Sequence, residues 1–455
     1  MSDTAARADT TPSNRDVFNV AWPLTFKAMM VNAIVLIDAY LVSGLGEPAL
    51  AAMGLAAAFG SLLVGTIMAF STATQIRLAQ AAGSGRRVAL KTGFYAGLAT
   101  NLAVGATGVV LVALFGGGVL ERMAHTPWIA HEAKSYLYIF LMVVMFEAAA
   151  QCIGSFFNGS GRTIIPLKSF LIAIPINVAT SYLLIHGAFG LPALGVAGAA
   201  IGSVLGAATR SLYLGLSFYR ETGGYLDEPG WLHGGWGRSL GRHLSFSMPI
   251  AGTFVSNAVA NYAATLLFAK MSVNQFAAMT LILPWVQAAG TFGIAWAQST
   301  GILVAQLLGN SRGSEELDAF LGRAWRMAFV AAGLVSLTYL VICLASTRIY
   351  AGLEAETTAA LLSFLPVLLV LPFPKGSNAI CGQTLRAGGD TLYVMNIFVA
   401  AQWLVRIPLT ALFILHLELS VTWVFALFLV EELVKFPLFH MRLYKGEWKR
   451  GLAAE

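Results

Sequence analysis

Charge and cysteine are both scarce in this chain. Only 11% of its 455 residues are Asp, Glu, Lys or Arg, against about 25% in soluble domains. That excludes a water-soluble enzyme, a nucleic-acid binder and a fibrous protein. Cys152, Cys343 and Cys381, the three cysteines, fall in apolar stretches without paired or ligand-like spacing, so neither a disulfide framework nor a zinc site is expected. No GxxxxGK phosphate loop is present, nor an HExxH pair. ATP-driven transport by this chain alone is therefore not expected, and neither is an enzyme. The polar stretch from Met1 to Asp16 lacks a short apolar core with a small-residue cleavage site, so no removable signal peptide is expected.

Apolar residues are abundant, at 57% of the chain. They form long continuous runs and not ten-residue alternations, which excludes a β-barrel and implies an all-α integral membrane protein. Twelve runs can be counted, at 17–43, 49–79, 92–115, 135–157, 164–185, 193–219, 245–270, 275–308, 324–346, 357–384, 391–415 and 421–443. The expected organisation is a cytoplasmic tail at 1–16, an N-lobe of six spans at 17–219, and a cytoplasmic linker at 220–242. A C-lobe of six spans at 243–443 and a cytoplasmic tail at 444–455 complete it. Eighteen connector Lys and Arg fall on one side, against Arg122, Lys134, Lys270 and Arg348 on the other. By the positive-inside rule both termini are cytoplasmic, in a multi-pass protein of the inner (plasma) membrane.

An internal repeat carries the most information. Pro23 and Pro249, Ala51-Ala52-Met53 and Ala277-Ala278-Met279, Gln80 and Gln306, Gly83 and Gly309, and Arg86 and Arg312 all lie 226 residues apart. GSGRT at 159–163 meets AGGDT at 387–391 at an offset of 228. Two halves of six spans enter the membrane from the same side, so a pseudo-two-fold along the membrane normal should relate them. Parallel repeats of this kind are a transporter architecture, with the substrate site near the midplane where the halves meet.

The opening WPLTFKAMMVNAIVLIDAYLVSGLGEPALAAMGLA, the connector FFNGSGRT with its partner LRAGGDT, the segment WLVRIPLTAL at 403–412 and the ending KGEWKR together resemble the multidrug and toxic compound extrusion (MATE) family. The resemblance covers nearly the whole chain. It implies two six-helix lobes around a central cavity, exporting cationic or amphipathic organic compounds in exchange for protons, with sodium as the other coupling ion. No cofactor and no nucleic-acid partner are implied; the partners are small organic molecules and the bilayer, and a monomer is expected. The rival reading is a flippase for a lipid-linked precursor. A non-transporting channel is a third.

Asp38 lies deep in the first span, where an ionised carboxylate costs about 2.5–3.5 kcal/mol on insertion scales. Such a group calls for a partner or a use, and taking up and releasing a proton during transport is one use; the alternative is a structural hydrogen bond to a neighbouring helix. It also matches the first-helix aspartate to which the resemblance assigns cation coupling. Asn177 matches the family's fifth-span Asn, but Ser181 stands where an Asp is usual, one turn on. Both are candidates to assist Asp38, or else to act as packing polar groups. The loss of a second carboxylate weakens a sodium site more than a single-proton site.

In the C-lobe, Asn257 and Lys375 occupy positions where some branches carry acids, which points to a DinF-like and not a NorM-like cation site. Lys375 corresponds by the 228 offset to Glu147. These two either pair across the cavity or each line it. Trp285 and Gln287, with Trp296 and Gln298 on the same span, are candidate cavity residues, since aromatic faces attract organic cations; packing is the alternative. Glu431 and Lys435, one turn apart, read as an intrahelical pair, and Arg406 as a structural residue. The ladder Gly198, Gly202, Gly206 predicts close helix packing, and Pro372 with Pro374 a bend.

Overall fold

The computed structural model describes residues 11–222, 226–349 and 353–450. Arg7, parts of both expected tails and part of the linker lie outside the described residues, as do the side chains of Arg348 and Arg450. Among the described residues the chain is helical throughout, without strands. The long helices are α1 (Asn14–Ser43), α2 (Glu47–Ser84), α3 (Arg87–Met123), α4 (Pro127–Gly159), α5 (Ile164–His186), α6 (Val196–Thr222), α7 (Trp236–Phe268), α8 (Val273–Gly309) and α9 (Ser314–Ile349). There follow α10 (Ala355–Ser363), α11 (Leu365–Val370) and α12 (Pro372–Ala387), then α13 (Thr391–Ala400), a π-turn (Ala401–Arg406), α14 (Ile407–Leu415) and α15 (Val421–Tyr444).

By length and composition, nine helices among the described residues can cross a membrane, or ten if the segments from Ala355 to Ala387 form one broken span. That segment bends by 46° where Pro372 begins α12. Proline has no N–H to give and its ring displaces the carbonyl one turn back, so the expected bend is found there. Helix α15 falls short of the apolar requirement because Glu431, Glu432 and Lys435 interrupt it. Helix α7 opens with Arg238, Arg242 and His243 and carries Asn257 and Asn261 further on. The helix from Thr391 to Leu415 also differs from the uniform span expected, since the π-turn lies in its middle.

The distribution of side chains is that of a protein surrounded by lipid. Large apolar residues face outward, among them Leu36 (71% exposed), Leu114 (70%) and Leu404 (76%), while alanines fill the interior at Ala49, Ala52, Ala56, Ala133, Ala199 and Ala200. Lipid offers no hydrophobic drive for helix association, so small residues that let backbones approach become the cement.

By its internal contacts the chain divides into an N-unit, Phe26–Ala251, and a C-unit comprising Gly252 onward with the residues up to Thr25. The N-unit is built on clusters around Tyr136, Leu137 and Leu120 and around Phe94, Phe156 and Leu214. The C-unit has one around Phe364, Phe425 and Met279. The segment before α7 belongs to the N-unit: Lys91 Nζ donates to the carbonyls of Glu228 (2.6 Å) and Gly230 (3.2 Å) and sits 4.4 Å from the Trp231 ring centre.

The sequence repeat recurs in the backbone. Gly161 (φ 76°) and Gly389 (φ 99°) adopt the left-handed conformation 228 residues apart. In each connector the next residue's N–H closes a turn, Arg162 onto Phe157 O (2.8 Å) and Asp390 onto Leu385 O (2.9 Å). Gly85 (φ 65°) and Ser311 (φ 52°) repeat the device at 226. Glycine takes this conformation freely and serine does so at a cost.

Candidate functional site

In the N-unit, α5 and α6 approach so closely that a Cβ on Gly206 would lie 2.9 Å from Asn177 Cβ, and one on Gly198 would lie 2.6 Å from the Leu184 carbonyl carbon. A Cβ on Gly202 would collide with Ser181 Oγ. The glycine ladder thus presses the polar face of α5 against α6. Next to Gly202 on α6, Ser203 bridges: Asn177 Nδ2 donates to its Oγ (3.3 Å), and the hydroxyl donates to Asp38 Oδ2 (3.2 Å). Tyr136 on α4 stands within electrostatic reach of Asp38.

This pocket is buried and only half satisfied. Asp38, Asn177 and Ser181 are 7%, 3% and 0% exposed. Asp38 Oδ1, Asn177 Oδ1 and Ser181 Oγ have no hydrogen-bond partner among the described residues. Buried polar atoms of this kind are normally paired. Ser203, which links them, was not singled out from sequence; its position beside a packing glycine gave no chemical signal.

A second N-unit group surrounds Glu147 on α4. Its carboxylate is paired with Arg210 of α6 and accepts from Gln151 Nε2 at 3.1 Å. The Arg210 guanidinium lies 4.1 Å from the Phe170 ring centre, and Lys27 is within electrostatic reach of both charges. Arg210 also escaped the sequence reading, because its partner lies 63 residues away and no local spacing connects them.

In the C-unit, Glu431 and Glu432 of α15 are both held by bases. Arg406 pairs with Glu431 (3.2 Å), and Lys435 pairs with Glu431 (3.1 Å) and Glu432 (2.8 Å), so the expected intrahelical pair is part of a larger network. Asn378 Nδ2 donates to Glu432 Oε2 at 2.8 Å. The π-turn aims two donors at α7: Gln402 Nε2 reaches Asn257 Oδ1 and Arg406 Nη2 reaches Asn261 Oδ1, both at 3.1 Å. π-turns in α-helices frequently mark functional positions.

Lys375 stands apart from this network on α12. It lines a cavity in the C-unit with Gly290, Gly293 and Trp296 of α8 and Tyr339 of α9. Trp285 and Gln287 lie outside that lining, Trp285 half-buried and Gln287 exposed. Trp296, on the same helix, donates its indole N–H to Ala324 O (3.1 Å).

Known proteins share this architecture. The uncharacterized transporter YisQ of Bacillus subtilis is 22% identical over 447 residues, 96% of each chain. The "Probable multidrug resistance protein NorM" of Rhizobium meliloti is 25% identical, covering 84% of this chain and 85% of that one. Among solved structures, a MATE protein in a bent conformation superposes with a TM-score of 0.85 at 16% identity, over 97% of this chain and 98% of the other. A MOP superfamily transporter from Pyrococcus furiosus gives 0.82 at 17%, over 94% and 95%. The MatE family model matches residues 23–183 and again 249–412, two stretches whose starts are separated by the repeat's own offset. The chain therefore belongs to the MatE family of membrane transporters, and it is not an enzyme.

Proposed function

We propose that the protein is a secondary active antiporter that exports cationic or amphipathic organic compounds in exchange for protons by alternating access of two six-helix lobes, 17–219 and 243–443. Multidrug resistance is the role named for the NorM relatives. Proton coupling rests on one observation, the buried Asp38 pocket with its unpartnered oxygens on Asp38, Asn177 and Ser181. Asp38 is the coupling carboxylate; Asn177 and Ser181 assist, and Ser203 positions it.

Protons are favoured over sodium because the pocket groups described above include a single carboxylate. Sodium retention favours several charged oxygens, and Ser181 supplies a neutral one. Asn257 and Lys375 leave the C-lobe without an acid at the positions a NorM-like site would use, so the assignment is DinF-like. Asn257, Glu147, Lys375, Trp285 and Gln287 are assigned to the substrate cavity, with Glu147 held by Arg210. The protein works as a monomer in the inner membrane with both termini in the cytoplasm.

Purified protein in liposomes, loaded with a fluorescent organic cation, tests the reading under imposed proton and sodium gradients. Proton-driven movement in wild type, lost in Asp38→Asn with folding intact, is expected. Sodium-driven movement, or wild-type transport by Asp38→Asn, overturns it.

A further inference from the structure

We propose that the C-unit cavity is a binding site for an amphipathic organic anion, with the carboxylate of the ligand held by Lys375 and its apolar body in the glycine-lined space beside it. The proposal deepens the transport reading by giving one substrate site a polarity opposite to that of the cation pocket.

The cavity exists because the sequence removes volume on three sides. Gly290 and Gly293 leave α8 without side chains there, Gly376 does the same on α12, and Pro372 bends the chain where α12 begins. Lys375 Nζ lies 4.0 Å from where a Cβ of Gly290 would stand, so the lysine reaches across the cavity to the bare face of α8. The other polar atoms in the lining are already engaged. Tyr339 donates its hydroxyl to Val286 O (3.0 Å) and Trp296 its indole N–H to Ala324 O.

Lys375 differs from them. Among the described residues no hydrogen bond or ion pair holds its ammonium; Glu431 and Glu432 act on it through space. Those two acids are matched by Arg406 and Lys435, which take them at close range. With two acids against two bases in the network, Lys375 is one positive charge in surplus, beside an apolar wall. A half-buried ammonium beside an apolar wall, with no acceptor for its donors among the described residues, is costly. A carboxylate carrying an apolar body answers the charge and fills the space together. A cation of the same shape meets repulsion there.

Binding is measured in nanodiscs of zwitterionic lipid without any gradient, using two small radiolabelled alkyl probes that differ only in a carboxylate or a quaternary ammonium head. The carboxylate probe should bind at least about tenfold tighter than the ammonium probe. Lys375→Ala should remove that preference and Lys375→Arg should keep it. Gly293→Leu, which fills the cavity from a position whose Cβ would have nothing within 4 Å, should weaken the carboxylate probe while the melting temperature holds. Equal binding of both probes, or carboxylate binding unchanged in Lys375→Ala, overturns the proposal. Displacement of the probe by phosphatidylglycerol in the discs also overturns it, in favour of a lipid headgroup; unchanged binding supports a free organic anion. Asp38→Asn should leave carboxylate binding intact. Loss of proton-driven transport with binding retained therefore separates failure of the coupling reading from failure of this one.

Discussion

The two units carry the same repeat and opposite chemistry. At Asp38 the N-unit buries a carboxylate whose second oxygen has no partner among the described residues; at the position 226 residues on, the C-unit has Ala264, buried in its apolar core. The C-unit buries acids on α15, where Glu431 and Glu432 are each gripped by a base. A duplicated fold thus keeps its turns and relocates its charges. Turns are fixed by backbone geometry that both copies need. A buried charge answers to whatever faces it, and the neighbours differ between the copies.

The strongest way to break this contrast is Asp38→Asn, which should reduce proton-driven transport in liposomes to background while the melting curve stays close to wild type. Glu431→Gln should do the reverse in kind. It strips a partner from both Arg406 and Lys435 and should cost roughly 3–5 kcal/mol, the penalty for breaking a buried ion pair. A large drop in melting temperature checks it, and a silent variant would mean that the C-unit network is not what holds α14 and α15 together.

Gly202→Ala sharpens the picture inside the N-unit. The added methyl meets Ser181 Oγ and the α5 backbone, an overpacking worth about 1–3 kcal/mol, and should separate α5 from α6 enough to lower transport together with stability. Ser203→Ala is the smallest expected effect. It removes one bridging hydroxyl, about 1 kcal/mol of stability, and should alter the pH profile of transport more than its maximum. An unchanged profile would reduce Ser203 to packing.

Helix positions, the proline bend at Pro372, the intrahelical pairing of Glu431 with Lys435 and the tight ladder at Gly198, Gly202 and Gly206 were legible in the sequence, because each depends on residues close together along the chain. The repeat was legible for the same reason at a larger scale. Arg210 and Ser203 were not, since Glu147 lies 63 residues from Arg210 and Asp38 lies 165 from Ser203, and nothing in the local spacing of α6 marks either as paired. The bare wall of the C-unit cavity was not legible either, since it is made by glycines of α8. An absent side chain leaves no chemical signature to read. The attachment of Lys91 to the segment around Glu228 was equally hidden, being made to carbonyls that every residue carries.

The π-turn at Ala401–Arg406 has a consequence for the reading frame of its helix. An α-helix turns by about 100° per residue, so a turn that accommodates one residue more leaves α13 and α14 out of phase with each other. A helical wheel drawn through the whole segment assigns one end to the wrong face. It also makes the segment unusually sensitive to length: deleting one residue between 401 and 406 lets it close into regular helix, with Gln402 and Arg406 no longer able to meet Asn257 and Asn261 together. Substitutions there change a side chain, whereas a single deletion changes the phase of everything that follows.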